Sequence, residues 1–132
     1  MPEEYKEEII AAMMNEDLVP IELSYLIYKY DALMQTSKDY AEVVLDDIEK
    51  MWGSMLYAGA TTFWETSRGA SDFGFAASLC HGWAAVPVYV FWRYMMGVYP
   101  EKPGVVARID EPVPGWEKAT GTLCTPEGIK EF

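Results

Sequence analysis

The sequence predicts a mainly α fold in which helices pack as antiparallel pairs, followed by a short C-terminal β segment. Three observations favour this fold class. Apolar residues recur every three or four positions through residues 3–57, a long uncharged run follows Asp72, and after Tyr99 the chain changes to short runs separated by turns that contain Pro and Gly. The predicted helical part covers residues 1–99, and the predicted β part covers residues 100–132.

The first two helices are predicted over residues 3–15 and 20–36. Pro2 suits the first turn of the first helix, where Glu3 and Glu4 face the positive end of the helix dipole. In the second helix the apolar positions recur at helical intervals: Ile21, Tyr25, Tyr28 and Ala32. These two segments are separated by the break NEDLVP.

The third helix is predicted to begin after Ser37, which suits the N-cap position. Its apolar positions form one stripe along the helix: Tyr40, Val44, Ile48, Trp52 and Met55. Charged residues such as Asp46, Asp47 and Glu49 fall largely on the other face, which we expect to be solvated. Residues 58–72 have no helical period and predict a long loop.

A fourth helix is predicted over Phe75–Met96, apolar nearly all round and therefore buried. Pro87 either kinks this helix or marks where its helical part begins. Gly97 suits the left-handed position after its end. The 20 uncharged residues Phe73–Trp92 are also long enough for a membrane span. Polar and helix-breaking residues within the run, and the lack of flanking positive charge, favour a buried helix instead.

The C-terminal part is predicted to form short strands. Val105–Ile109 reads as one strand after the turn PEKPG, and residues 116–123 and 129–132 suggest two more on either side of the turn TPEG.

The charge and the metal-binding residue types exclude several function classes. The net charge of −11 repels phosphate backbones, so we expect no nucleic-acid partner. One His and two Cys without a CxxC spacing do not make a zinc site, and we expect no cofactor. The acidic N-terminus does not resemble a signal peptide, which favours the cytoplasm or leaves the compartment unknown.

The first candidate site pairs Trp64 with Glu65, directly after a helix stop. A partly buried carboxylate beside apolar groups can act as a general base or acid, and the indole ring can form one wall of a sugar pocket. The structural alternative is a loop glutamate that caps the backbone or pairs with Arg68.

The second candidate is the segment Leu79–Trp83, which contains His81. A lone His in an apolar run is often a hydrogen-bonded core residue, but Gly82 permits close approach of a ligand and Trp83 offers a ring face. A helix–loop–helix pair would place this cluster beside Trp64–Glu65. Two converging clusters of aromatic and polar residues predict a polar, ring-shaped ligand such as a sugar.

These residues carry a resemblance to a known family. WGSMLYAGATTFWE (Trp52–Glu65) followed by SLCHGWAAVPVY (Ser78–Tyr89) resembles the C-terminal part of the family-78 glycoside hydrolases, the α-L-rhamnosidases. Residues 103–132 resemble the start of the small β-domain that follows the catalytic barrel of these enzymes. The resemblance implies a partial (α/α)6 barrel, with Glu65 as the general base, Trp64 lining the sugar pocket, and His81 and Trp83 bordering it.

The leading hypothesis is therefore a fragment or truncated relative of an inverting glycoside hydrolase that acts on terminal α-L-rhamnosides. No segment matches the motif of the general acid, which would have to come from the rest of a hydrolase. The alternative is a non-catalytic helical module that self-associates through exposed barrel faces. A third reading is a small membrane-attached protein that uses Phe73–Trp92.

Overall fold

The computed structural model describes residues 2–15, 17–103, 105–108 and 111–132. It confirms a mainly α fold with small antiparallel β hairpins. The chain divides into two compact units, one running to Val86 and the other from Pro87 to Phe132.

Three α-helices make up the regular part of the first unit: α1 (Lys6–Met13), α2 (Leu26–Thr36) and α3 (Ala41–Tyr57). Each is preceded by a single 3₁₀ turn, in the order Glu3–Tyr5, Leu23–Tyr25 and Lys38–Tyr40. All three helices lie within the predicted segments. None of the residues of α1 is buried, whereas α2 and α3 each bury one face.

The core of the first unit lies between α2 and α3. The apolar stripe predicted for α3 is confirmed, since Val44, Ile48, Trp52 and Met55 are all buried. The apolar positions predicted for the second helix are wrong, because Ile21, Tyr25 and Tyr28 are exposed. The buried side chains of α2 lie on another face: Leu26, Tyr30, Leu33 and Met34. Between the two helices the Tyr30 hydroxyl donates to Asp47 Oδ2 at 3.0 Å. Polar contacts therefore join α2 to α3 as well as apolar packing.

The segment that contains α3 is capped at both ends, and the cap at its start is the one that the sequence predicts. The Ser37 hydroxyl accepts a hydrogen bond from the Asp39 N–H at 3.1 Å, which confirms its capping role. At the other end Gly59 has a φ of 83°, and the N–H groups of Gly59 and Ala60 donate to Leu56 and Met55. This is a Schellman motif, so Gly59 ends the helix and turns the chain into the loop region (residues 58–85).

The predicted helix over Phe75–Met96 is wrong in its first half. Residues 75–81 are not helical, a 3₁₀ turn follows at Gly82–Ala84, and α4 (Val86–Val90) begins only at Val86. The backbone of Phe73, Gly74 and Phe75 is left-handed, which no helix can continue through. Pro87 therefore lies in the first turn of α4, where its missing N–H costs no hydrogen bond.

The second unit continues from α4 through a π-helical turn, Phe91–Met95, to two antiparallel hairpins. Gly97 separates the turn from the first strand with a φ of 64°, as predicted. Strand β1 (Val98–Lys102) pairs with β2 (Val105–Arg108), and β3 (Thr122–Thr125) pairs with β4 (Gly128–Glu131). The β3–β4 hairpin closes through the predicted TPEG turn. The strand predicted over residues 116–123 is wrong in its larger part, because β3 begins only at Thr122. The expected end of the second strand, Ile109, lies outside the described residues.

Aromatic contacts organise the second unit. Trp92 packs so closely on Gly121 that a Cβ there would lie 2.7 Å from the indole ring, and Phe132 meets Trp92 edge-on. Phe91 stacks on Trp116 with ring centroids 5.7 Å apart. The predicted domain boundary between residues 99 and 100 lies inside β1, and the assignment of the two parts to larger domains stays a prediction.

Candidate functional site

The loop region brings the two predicted clusters side by side through the backbone. The Glu65 N–H donates to the Ser78 carbonyl at 2.9 Å, and the His81 N–H donates to the Phe63 carbonyl at 2.7 Å. The Thr62 hydroxyl also donates to the Leu79 carbonyl. The stretch 62–65 therefore runs antiparallel to 78–81, although neither stretch lies on a helix as the sequence predicted for the second.

Glu65 is half-buried and its carboxylate is oriented by the neighbouring stretch. Its Oε2 accepts a hydrogen bond from the Ser78 N–H at 2.8 Å. Within the part of the chain that the structure describes, no group donates to the other carboxylate oxygen. One oxygen is thus fixed by the backbone, while the other can accept a proton from a bound water.

This geometry also decides between the structural alternatives for Glu65. The alternative in which Glu65 pairs with Arg68 is not realised, because Arg68 pairs with Asp72 at 2.7 Å instead. The backbone-capping alternative is realised, since the carboxylate accepts from Ser78. Capping and a role as a base are compatible here, because they use different oxygens of the same carboxylate.

Trp64 is half-buried and packs on a glycine of the same loop region. A Cβ at Gly69 would lie 2.7 Å from Cζ3 of the indole, and Gly69 has a φ of +60°. Only glycine combines this backbone conformation with so close an approach. The indole ring can therefore occupy this position only because residue 69 is glycine. The type and spacing of the residues did not point to Gly69.

His81 and Trp83 form the second cluster. Their rings meet edge to face with centroids 6.1 Å apart and an interplanar angle of 77°. His81 is half-buried, whereas the Trp83 side chain is 81% exposed. An indole held at one edge by an imidazole and otherwise open to solvent offers a face for stacking on the apolar side of a sugar ring.

Asp72 is a buried acid of this region that sequence reasoning missed. It pairs with Arg68, accepts a hydrogen bond from the Phe73 N–H at 3.1 Å, and its carbonyl accepts from Ala76 and Ala77. Burial raises the pKa of the Asp72 carboxyl, but the interactions with Thr66, Phe73 and Arg68 outweigh burial and hold that pKa below its usual range. The i,i+4 spacing of Arg68 and Asp72 was the available sequence signal.

The lowered pKa makes Asp72 a poor general acid, since it stays ionised at neutral pH. Its position suggests a structural role instead. Asp72 fixes the turn that carries Phe73 and Phe75, two exposed phenylalanines with φ values of 49° and 70°.

The described residues contain neither a cluster of metal-ligating side chains nor a helix that could cross a membrane. Among them, no three His, Cys, Asp or Glu side chains gather as a metal site would require. Within the same ranges, no helix combines the length and the apolar character that crossing a bilayer takes. Cys80 and Cys124 are both free and exposed.

The loop region thus holds a carboxylate with one oxygen unpaired in the described structure, on a stretch whose backbone pairs with the stretch that ends at His81. The carboxylate can orient a water molecule, and the exposed indole of Trp83 can stack on a ring-shaped ligand. Comparison with protein-family models, with curated proteins and with solved structures gave no match to this chain.

Proposed function

We propose that this chain carries the general-base side of a site for terminal α-L-rhamnosides and is a fragment or truncated relative of an inverting glycoside hydrolase. In this proposal its helices form part of an (α/α)6 barrel. One observation carries the proposal: the backbone pairing of 62–65 with 78–81 puts Trp64–Glu65 beside the segment that leads to His81 and Trp83. The motifs that suggested the family from sequence are thus adjacent in the fold.

Each of the four residues takes a distinct role in this proposal. The Glu65 oxygen that no described group contacts removes a proton from the attacking water, while the Ser78 N–H holds the other oxygen in place. The exposed face of Trp83 stacks on the sugar, and His81 orients that indole through the edge contact. Trp64, fixed on Gly69, closes the site next to the base.

Inversion also needs a second carboxyl group to protonate the leaving oxygen. Asp72 does not suit this role, because its pKa is lowered and it is paired with Arg68. The acid is therefore supplied by another polypeptide or by another part of the hydrolase. It follows that the chain alone acts only on substrates whose leaving group departs without protonation.

The test uses α-L-rhamnosyl fluoride, whose fluoride leaves without help from an acid, and an alkyl α-L-rhamnoside, which needs one. We expect fluoride release by the chain and no turnover of the alkyl rhamnoside. Glu65→Gln keeps an oxygen acceptor for the Ser78 N–H but removes the base, so fluoride release should fall by a factor of about 100 or more. The exposed helix residue Glu42 provides the matched control, Glu42→Gln, which should keep the full rate. Fluoride release that is absent, or equal in both variants, refutes a base role for Glu65.

A second candidate function is self-association of a non-catalytic module. The observation that favours it is the exposed apolar surface at the end of α3, where Tyr57 is 95% exposed beside exposed Leu56. Sedimentation at increasing protein concentration tests this function. A mass that rises with concentration and falls back in Tyr57→Asp, together with no binding of rhamnose, would favour the module over the hydrolase.

A further inference from the structure

We propose that a cleft in the first unit, between α1, the 17–22 connection and the α2–α3 pair, binds a small amphipathic carboxylate, with the apolar tail inside and the carboxylate at a lysine. The cleft has a volume of ≈ 400 Å³. This volume falls in the range of small-molecule sites, about 300–1,000 Å³. None of the residues that line it belongs to the Glu65 cluster, so the proposal is independent of the function proposed above.

Most of the residues that line this cleft are apolar. Leu26 is buried, while Leu18 and Ile21 of the connection are exposed. Leu18 is 54% exposed. Exposed aliphatic side chains that border a cleft mark a place where an apolar ligand group would be taken out of water.

The rim of the cleft carries a positive charge that no described group balances. Lys29 is paired with Asp47 at 3.4 Å, and the same Asp47 oxygen accepts from the Tyr30 hydroxyl. Lys50 also lines the cleft, is exposed, and makes no ion pair with any described residue. Among the described residues that line the cleft, Lys29 and Lys50 are positively charged. The acid among them, Asp47, is already bound to Lys29 and Tyr30.

The charge pattern selects the head group of the ligand. A lysine that pairs with no described residue and lies beside an apolar cleft attracts an anion whose remainder is apolar. The net charge of −11 repels multiply charged anions at long range, so a single carboxylate is favoured over a phosphate. The ligand class is therefore a monocarboxylate with an aliphatic or aryl tail.

The first measurement is calorimetric titration of the full chain with octanoate. Acetate has the charge without the tail, and octan-1-ol has the tail without the charge. We expect saturable octanoate binding at concentrations below about 5 mM, no detectable acetate binding, and weakening by about threefold for each methylene removed from the tail. No saturable octanoate binding up to that concentration overturns the proposal.

Two variants then locate the site. Lys50→Ala should weaken octanoate binding about three- to fivefold and leave octan-1-ol binding unchanged. The control Lys118→Ala removes an exposed lysine of the second unit and should have no effect.

Leu18→Asp puts a negative charge beside the cleft and should weaken octanoate binding more than about tenfold. Since Leu18 is half exposed, the fold should tolerate the change. Binding that is equal in Leu18→Asp and Lys118→Ala places the ligand elsewhere and overturns the proposal.

Discussion

The α2–α3 pair and the loop region belong to the same compact unit, yet different forces hold them. The helix pair is held by buried apolar side chains four or three residues apart on each helix, with the hydroxyl of Tyr30 as its polar contact. The loop region is held mainly by hydrogen bonds to backbone groups and by one close contact between Gly69 and Trp64. The candidate site lies in the region with less apolar burial, where catalytic side chains can stay accessible.

The two regions meet at Trp52, which predicts the largest effect. Trp52 is 6% exposed, and its Nε1–H donates to the Ala84 carbonyl at 2.8 Å, so it anchors the loop region to α3. Trp52→Ala should lower the free energy of unfolding by about 3–5 kcal/mol, from lost burial and from the unpaired carbonyl. The measurement is urea unfolding followed by far-ultraviolet circular dichroism.

Trp83→Ala is the matched control, because Trp83 is 81% exposed. It should change the unfolding free energy by less than about 0.5 kcal/mol while weakening any sugar binding. A similar loss of stability in both variants would contradict the contrast between a packed core and an open site.

The same contrast explains what could be predicted from sequence. The buried stripe Val44, Ile48, Trp52 and Met55 follows from spacing alone, because a helix brings together residues that are three or four apart. The end of α3 at Gly59 follows from the conformational freedom of glycine. For these features local sequence carries enough information.

The loop region could not be predicted in the same way. The hydrogen bonds that pair stretch 62–65 with stretch 78–81 join residues 13–18 positions apart, such as Glu65 with Ser78 and Phe63 with His81. The apolar run after Asp72 has the composition of a buried helix, and nothing in its spacing reveals that its backbone pairs with another loop. The site residues were therefore recognisable by type, while Ser78 and Gly69, which position them, were not.

Two glycines test this comparison, because replacement by alanine should lower the free energy of unfolding at Gly69 and raise it at Gly53. Gly69 has a φ of +60° and a Cβ there would meet Trp64 at 2.7 Å, so Gly69→Ala should cost about 1–3 kcal/mol. Gly53 lies inside α3, and a Cβ there meets only Glu49 Cγ at 3.9 Å, so Gly53→Ala should stabilise the protein by about 0.5–1 kcal/mol.

Urea unfolding of the two alanine variants measures their free energies of unfolding. The tryptophan fluorescence of each native state reports on the environment of Trp64. Gly69→Ala should also disturb the Trp64 environment and reduce any Glu65-dependent fluoride release, whereas Gly53→Ala should leave both unchanged. Stabilisation by alanine at both positions would show that Trp64 is free to move away from Gly69.

The polar contact inside the helix pair predicts a smaller effect than the loss of Trp52. Tyr30→Phe removes the hydrogen bond to Asp47, which Lys29 still contacts, and should cost about 1–2 kcal/mol at pH 7. Burial, the negative charge of Asp47 and the hydrogen bond to it raise the pKa of Tyr30 above its usual range. Because folding raises the pKa of this tyrosine, its full contribution to stability is present below the pKa of a tyrosine in the unfolded chain, about 10. The contribution is lost as the pH rises from there through the pKa of the tyrosine in the folded protein.

The difference in unfolding free energy between the wild type and Tyr30→Phe should therefore stay constant up to about pH 10 and narrow above it. Urea unfolding at several pH values checks this, with Tyr57→Phe as the control, because Tyr57 is almost fully exposed. A difference between the wild type and Tyr30→Phe that is unchanged above pH 10 would mean that the Tyr30 hydroxyl titrates normally. Water would then reach Asp47 between the two helices. In its access to solvent the helix pair would resemble the loop region, although the apolar stripe of α3 indicates a dry core.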